Sequence, residues 1–91
     1  MSIDLYLLSV HNNIPQLYAY IGGSTLWEYL TETRILGNEM PSPQRLFQFD
    51  ISKFLQALEC QQLCIQYQEE VEGYLKLHKN DENHSFFIWR Q

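Results

Sequence analysis

Cys60, Cys64, His78 and His84 follow the spacing C-x3-C-x13-H-x5-H. Thiolates and imidazoles are the ligands of closed tetrahedral zinc sites, and this spacing falls inside the loose window of such motifs. The order argues against it. A finger sets its cysteines on a hairpin and its histidines on a helix, whereas here Cys60 falls at a helix end. The plainer reading is a half-buried thiol pair and two surface histidines. No metal or other cofactor is expected, and the quartet is kept only as a weak candidate.

Other chemistry is no better supported. The chain has no G-x-S-x-G elbow and no H-E-x-x-H helix. Cys60 or Cys64 can be paired on paper with His11, His78 or His84 as a thiol dyad, but any chain with two cysteines and three histidines permits that. Glu69, Glu70, Glu72, Asp81 and Glu82 would serve as an acid–base or metal group only if a cleft gathered them, and they read as solvated turns. Gly22–Gly23–Ser24–Thr25 precedes a helix, yet lacks the lysine and glycine spacing of a phosphate loop. The expectation is a protein that is not an enzyme.

Charge narrows the partner. Eleven acids and six bases leave a net charge of −5, and no Lys or Arg precedes Arg34. Nucleic acid and anionic membranes need a basic footprint, so neither is expected as a direct partner. A basic protein surface is the electrostatic complement. Two cysteines do not make a disulfide framework. Asp4 interrupts the N-terminal apolar stretch, no basic residue precedes it, and no apolar run approaches the roughly 20 residues of a membrane helix. The expected setting is the cytoplasm, with thiols reduced.

The elements follow from hydrophobic rhythm. At 91 residues the chain is one small α+β domain. Ile3–Val10 is almost continuously apolar, as in a strand covered on both faces. Asn13 and Pro15 read as the start of a short helix, with Ile14, Leu17, Tyr18 and Ile21 at i, i+3, i+4 and i+7 and Gly22–Gly23 as its stop. A second helix is expected over residues 25–36, with Thr25 and Glu28 at capping-box spacing. Gly37–Pro43 reads as a surface loop. Arg45–Phe49 reads as a short strand, with a helical turn over 43–49 as the rival. Asp50 then caps a helix whose Ile51, Phe54, Leu55 and Leu58 share one face.

Residues 61–78 are ambiguous. Cys60, Leu63, Cys64, Tyr67, Val71, Tyr74, Leu75 and His78 fit a helical stripe, but one facing away from the Ile51–Leu58 stripe, so a break near 59–62 is required either way. Gly73 and the alternation of Leu75 and Leu77, then Phe87 and Trp89, favour strands. The expected fold is therefore an N-terminal strand and two short helices, then a helix packed on a C-terminal antiparallel β-meander. Lys79–Asn83 would turn between its last two strands.

In that meander Ile65, Tyr67, Leu75, Leu77, Phe87 and Trp89 face the core, while Tyr74, Phe86 and Ile88 form an apolar island on the other side. A one-residue slip would exchange the faces. Tyr20 and Trp27 lie off the core faces of their helices and are candidate aromatic anchors. Partner-binding candidates are thus Tyr20, Trp27, Tyr74, Phe86 and Ile88, rimmed by Glu69, Glu70, Glu72, Asp81 and Glu82. At the level of class only, the acidic, aromatic-rich and motif-poor chain is similar to inhibitors of nucleic-acid enzymes, including bacterial immunity proteins and phage anti-defence proteins. The leading expectation is a non-catalytic module that blocks such a basic partner. The alternative is a structural subunit, with a homodimer or larger assembly built on a sheet face or edge.

Overall fold

A computed structural model describes residues 2–41 and 45–91. Leu5–His11 (β1) and Ile14–Gly22 (β2) form a hairpin, followed by the helix Ser24–Glu32 (α1). Leu36–Glu39 (β3) and Leu46–Phe49 (β4) form a second hairpin. The helices Ile51–Glu59 (α2) and Gln68–His78 (α3) come next, and His84–Arg90 (β5) closes the chain. The sheet order is β2-β1-β5-β4-β3, antiparallel throughout. The last strand therefore lies between the two hairpins and joins them. The expected α+β class holds, as a five-stranded sheet and three helices.

The core occupies one face of the sheet. Leu5 and Leu7 of β1, Ile21 of β2, and Phe86 and Ile88 of β5 meet Leu26 and Leu30 of α1, Phe54, Leu55 and Leu58 of α2, and Val71 and Leu75 of α3. β1 is an interior strand with apolar residues on both faces, as its unbroken apolar run implies. Asp50 caps α2 by accepting from the Lys53 N–H at 3.1 Å, and the break after Glu59 comes where the two opposed stripes demand it, with Gln61 left-handed at φ 57°. Arg45–Phe49 was expected as a strand, and Leu46–Phe49 is one.

The Ile14–Ile21 segment is a strand, not a helix. Asn12 and Asn13 take positive φ, 52° and 66°, and His11 pairs with Ile14, so they are a two-residue hairpin turn rather than a helix cap. Two irregularities interrupt the β1–β2 register, leaving Tyr18 and Ile21 as the extra residues. Each bulge resets the alternation by one. Apolar residues then recur at 14, 17, 18 and 21, which imitates a helical face. Pro15 is tolerated because β2 is an edge strand.

Three further corrections concern boundaries and identity. α1 ends at Glu32 rather than residue 36, with Arg34 left-handed at φ 61° behind two β-branched threonines. Its N-cap is Gly23 and carries no side-chain cap, so the Thr25–Glu28 box does not form. Part of the expected Gly37–Pro43 loop is strand β3, and residues 42–44 lie outside the described residues, including the start of the rival 43–49 helical turn.

The largest correction is over residues 61–78. They contain helix α3, not strands, with Val71 and Leu75 buried, Leu77 75% exposed and Tyr67 64% exposed. Lys79–Asn83 connects this helix to β5 instead of closing a hairpin. The faces of β5 are exchanged accordingly. Phe86 and Ile88 are buried, while Phe87 and Trp89 point to the opposite side. Glu69 and Glu70 in the first turn of α3 and Lys76 and His78 in the last complement the helix dipole, which offsets the cost of Gly73.

Gly73 is an exposed position in the middle of α3, and a Cβ added there would meet nothing within 4 Å. Gly73→Ala should therefore stabilise the fold by about 1 kcal/mol, the propensity difference at an open helical site. Thermal unfolding should show a midpoint raised by about 4–8 °C. A lowered midpoint would contradict a helix here.

Candidate functional site

Two features stand out from the packing of the sheet. The first is its uncovered face. Cross-strand pairing sets Tyr6 beside Tyr20 and Trp89, Leu8 beside Leu17 and Phe87, Val10 beside Pro15, and Leu46 beside Trp89. Directly paired residues share a face, and none of these belongs to the core beneath the helices. Among the described residues no helix covers them. Tyr6 makes an edge contact with Tyr20 and a tilted one with Trp89, both at 5.5 Å between ring centroids. The face is half-buried by its own aromatic packing, Leu17 is 51% exposed, and none of its paired residues carries a charge.

The second is a polar cluster on the helical side, at the end of the sheet where Ser9, His11 and His84 lie. Ser9 is 3% exposed, since its place in β1 follows the inward alternation of Leu5 and Leu7. A buried hydroxyl needs partners. Ser9 Oγ lies 2.6 Å from His84 Nε2 and 3.1 Å from the Tyr74 hydroxyl, and those two lie 3.2 Å apart. His84 is sandwiched by rings: His11 at 5.0 Å, His78 at 4.4 Å and Phe86 at 4.9 Å, all near-parallel. Tyr74 stacks on Tyr18 at 4.2 Å.

Asp81 completes the cluster. Its Oδ1 accepts from the Asn83 N–H at 3.1 Å, which turns Oδ2 toward His78 Nδ1 at 3.8 Å and His84 Nδ1 at 4.0 Å. Both histidine distances are too long for a hydrogen bond, and His84 Nδ1 is buried without a partner. Burial pushes the His84 pKa below the usual histidine value, His78 and His11 push the same way, and Asp81 opposes them in part. Burial raises the Tyr18 phenol, with Tyr74 and Glu70 adding to it.

Ser9, His84 and Asp81 have the composition of a nucleophilic triad, but not its access. Ser9 sits on a regular strand beneath the helices rather than on an exposed turn. The chemistry legible here is hydrogen-bond satisfaction of a buried hydroxyl and the presentation of an imidazole nitrogen.

The candidates taken from the sequence scatter. Phe86 at 6% and Ile88 at 0% exposure are core residues and cannot meet a partner, which corrects their assignment to an exposed island. Tyr74 belongs to the polar cluster. Trp27 is half-buried against Phe47, with the Arg90 guanidinium 4.8 Å from its ring centre. Tyr20 lies on the uncovered face, although on a strand rather than a helix. Glu69 and Glu70 are exposed at the start of α3, Glu72 pairs with Lys76 at 3.1 Å, and Asp81 and Glu82 are exposed on the turn before β5.

Cys60 and Cys64 are free and exposed. Cys60 follows α2 and Cys64 precedes α3, whereas His78 ends α3 and His84 begins β5. Among the described residues the ligand atoms that converge are those of His11, Asp81 and His84, within 4.8 Å of one another, so the Cys60–Cys64–His78–His84 quartet is not assembled. His11 and Ser9 were missed as cluster members. The usable signal was their odd-numbered alternation with Leu5 and Leu7 along β1.

The direction of the His84 shift fixes a pH dependence. A histidine held neutral in the fold binds its proton more readily when unfolded, so its contribution is full above the unfolded pKa, near 6.5, and is lost as pH falls below that value toward the lowered folded pKa. Urea unfolding in EDTA-containing buffer should show stability falling from pH 7.5 to 5, with a shallower fall in His84→Gln. Equal slopes in the two proteins would remove His84 as the cause.

No family model, curated protein or solved structure matches this chain.

Proposed function

We propose that this chain is a non-catalytic protein-binding module that pairs with a second copy of itself through the uncovered sheet face. The observation that carries the reading is the absence of charge from the paired residues of that face: Tyr6, Leu8, Leu17, Tyr20, Phe87 and Trp89 dominate it. A contiguous apolar patch of this kind marks an interaction site on a small soluble domain. Two chains at −5 each repel, so a self-contact has to keep acids out of its centre: Glu28 and Glu32 lie on α1, Glu69 and Glu70 on α3 and Asp81 and Glu82 on the turn, while Asp4 stands at the rim of the face, next in its row to Tyr6. Face-to-face sheet packing at about 10 Å suits such a surface. Edge addition suits it less, since β2 carries Pro15 and two bulges and β3 is only four residues long.

The second reading is an inhibitor of a basic, nucleic-acid-handling protein, of the immunity or anti-defence type. Net charge supports it, with Glu69, Glu70, Asp81 and Glu82 exposed and free to meet lysines and arginines. Such contacts would chiefly raise the association rate and would weaken with salt. Two exposed free thiols suit a reducing compartment such as the cytoplasm. No helix of the described residues is long and apolar enough to cross a membrane.

Sedimentation equilibrium separates the readings. The self-pairing reading expects a dimer at micromolar concentration that persists in high salt. Leu17→Asp, at a half-exposed position, and Leu8→Asp should each weaken it more than about 100-fold, because a buried carboxylate costs several kcal/mol. Circular dichroism checks that each variant still folds. A wild-type chain that stays monomeric at every concentration and salt overturns self-pairing and leaves the acidic surface as the working part.

A further inference from the structure

We propose that the histidine end of the sheet binds one divalent transition ion of the zinc type, held by His84 Nδ1, a ring nitrogen of His11 and a carboxylate oxygen of Asp81. One ligand atom from each of the three residues lies within 4.8 Å of the other two, and His84 Nδ1 stands 4.0 Å from Asp81 Oδ2. They come from three separate places in the chain: the end of β1, the turn after α3 and the first residue of β5. The β1–β5 register sets His11 directly opposite His84, which is why two imidazoles lie side by side.

The independent observation is the state of His84. Its side chain is 3% exposed, and Nδ1 has no hydrogen-bond partner. Leaving a buried polar atom unsatisfied is costly. Its other nitrogen, Nε2, is held by Ser9 Oγ at 2.6 Å and faces the Tyr74 hydroxyl at 3.2 Å. With the Nε2–H donated to Ser9, the Nδ1 lone pair is free and the ring is fixed in place. Outer hydrogen bonds of this sort orient the histidine ligands of metals.

The donor set selects the ion. Two imidazoles and one carboxylate suit zinc and its late first-row neighbours, while magnesium and calcium prefer oxygen ligands alone. Metal–ligand bonds of about 2.0–2.2 Å require the donors to draw closer than they stand. Asp81 and His11 are both exposed, so they can move to a fixed His84. His78 Nδ1, 3.8 Å from Asp81 Oδ2, is near enough to supply a fourth donor or to hold a bound water. Closing the ring would tie the β1–β2 hairpin end to the start of β5, so binding would raise folding stability.

The test uses the untagged full chain with Cys60→Ser and Cys64→Ser, which removes thiol binding while leaving the proposed donors. After chelator treatment, zinc chloride is titrated and followed by calorimetry and thermal unfolding. One ion per chain and a raised unfolding midpoint are expected. His11→Asn and Asp81→Asn, both at exposed positions, should each weaken binding at least tenfold and remove most of the midpoint shift. Histidine nitrogen NMR should show His84 Nδ1 moving on zinc addition. Absence of saturable binding in the cysteine-free chain, or unchanged affinity in His11→Asn, would overturn the site.

Discussion

β5 lies against β1 in unbroken antiparallel register from Leu5–Arg90 to His11–His84, and most of the molecule depends on that alignment. It places Phe86 and Ile88 with Leu7 and Ser9 beneath the helices, and Phe87 and Trp89 with Tyr6 and Leu8 on the far side. On its other edge β5 pairs with β4 through Leu46–Trp89 and Phe47–Ile88. Two locally formed hairpins are thus joined by the final residues of the chain. Because side chains alternate strictly, a shift of one residue would send Phe86 and Ile88 outward and draw His84 away from Ser9. The hydrophobic core resists the first change and the hydrogen-bonded cluster resists the second.

That cluster illustrates how a polar residue is carried in a core. Ser9 occupies a position whose neighbours along the strand are Leu5 and Leu7, both fully buried. Its hydroxyl is tolerated because Tyr74 and His84 meet it. The same packing holds the imidazole among three other rings, so its Nδ1 edge is turned out of the stack toward Asp81. A side chain recruited to satisfy one buried hydroxyl is left with its other ring nitrogen buried and without a partner.

What could be read from the sequence was the local, self-consistent part. β1 declared itself by an apolar run on both faces, and α2 by a capped, single-sided stripe with Asp50 at its start. Where local rules conflicted, the tertiary fold decided. The bulges of β2 gave a strand the spacing of a helix, because a bulge is a property of pairing and is invisible in one strand alone. Gly73 argued against a helix, yet α3 needs only Val71 and Leu75 on its inner side, and the glycine faces solvent, where it costs about 1 kcal/mol of propensity but no core packing. A strand at 68–78 hairpinned to β5 would require the opposite parity in β5, with Phe87 and Trp89 inward; the helix removes that pairing, and Phe86 and Ile88 face the core. The convergence of His11, Asp81 and His84 was hidden for the same reason, since it follows from the β1–β5 pairing and from no spacing along the chain.

A domain of this size has little surface to spare, since a chain of about 90 residues buries only some 60–65% of what it exposes when unfolded. All three helices cover one side of the sheet. The far side of β1 is as apolar as the near side, with Tyr6, Leu8 and Val10 alternating against Leu5, Leu7 and Ser9. An interior strand with two apolar faces is the composition of a sheet covered twice. Tyr6, Tyr20 and Trp89 meet part of that need by packing on one another, and none of the residues paired across this face is charged. In the proposed self-pairing, a second copy of the same face would supply apolar area without demanding countercharges. Glu28 and Glu32 on α1 and Glu69 and Glu70 on α3 would then stand on the outer, helical side of each copy, away from the shared face.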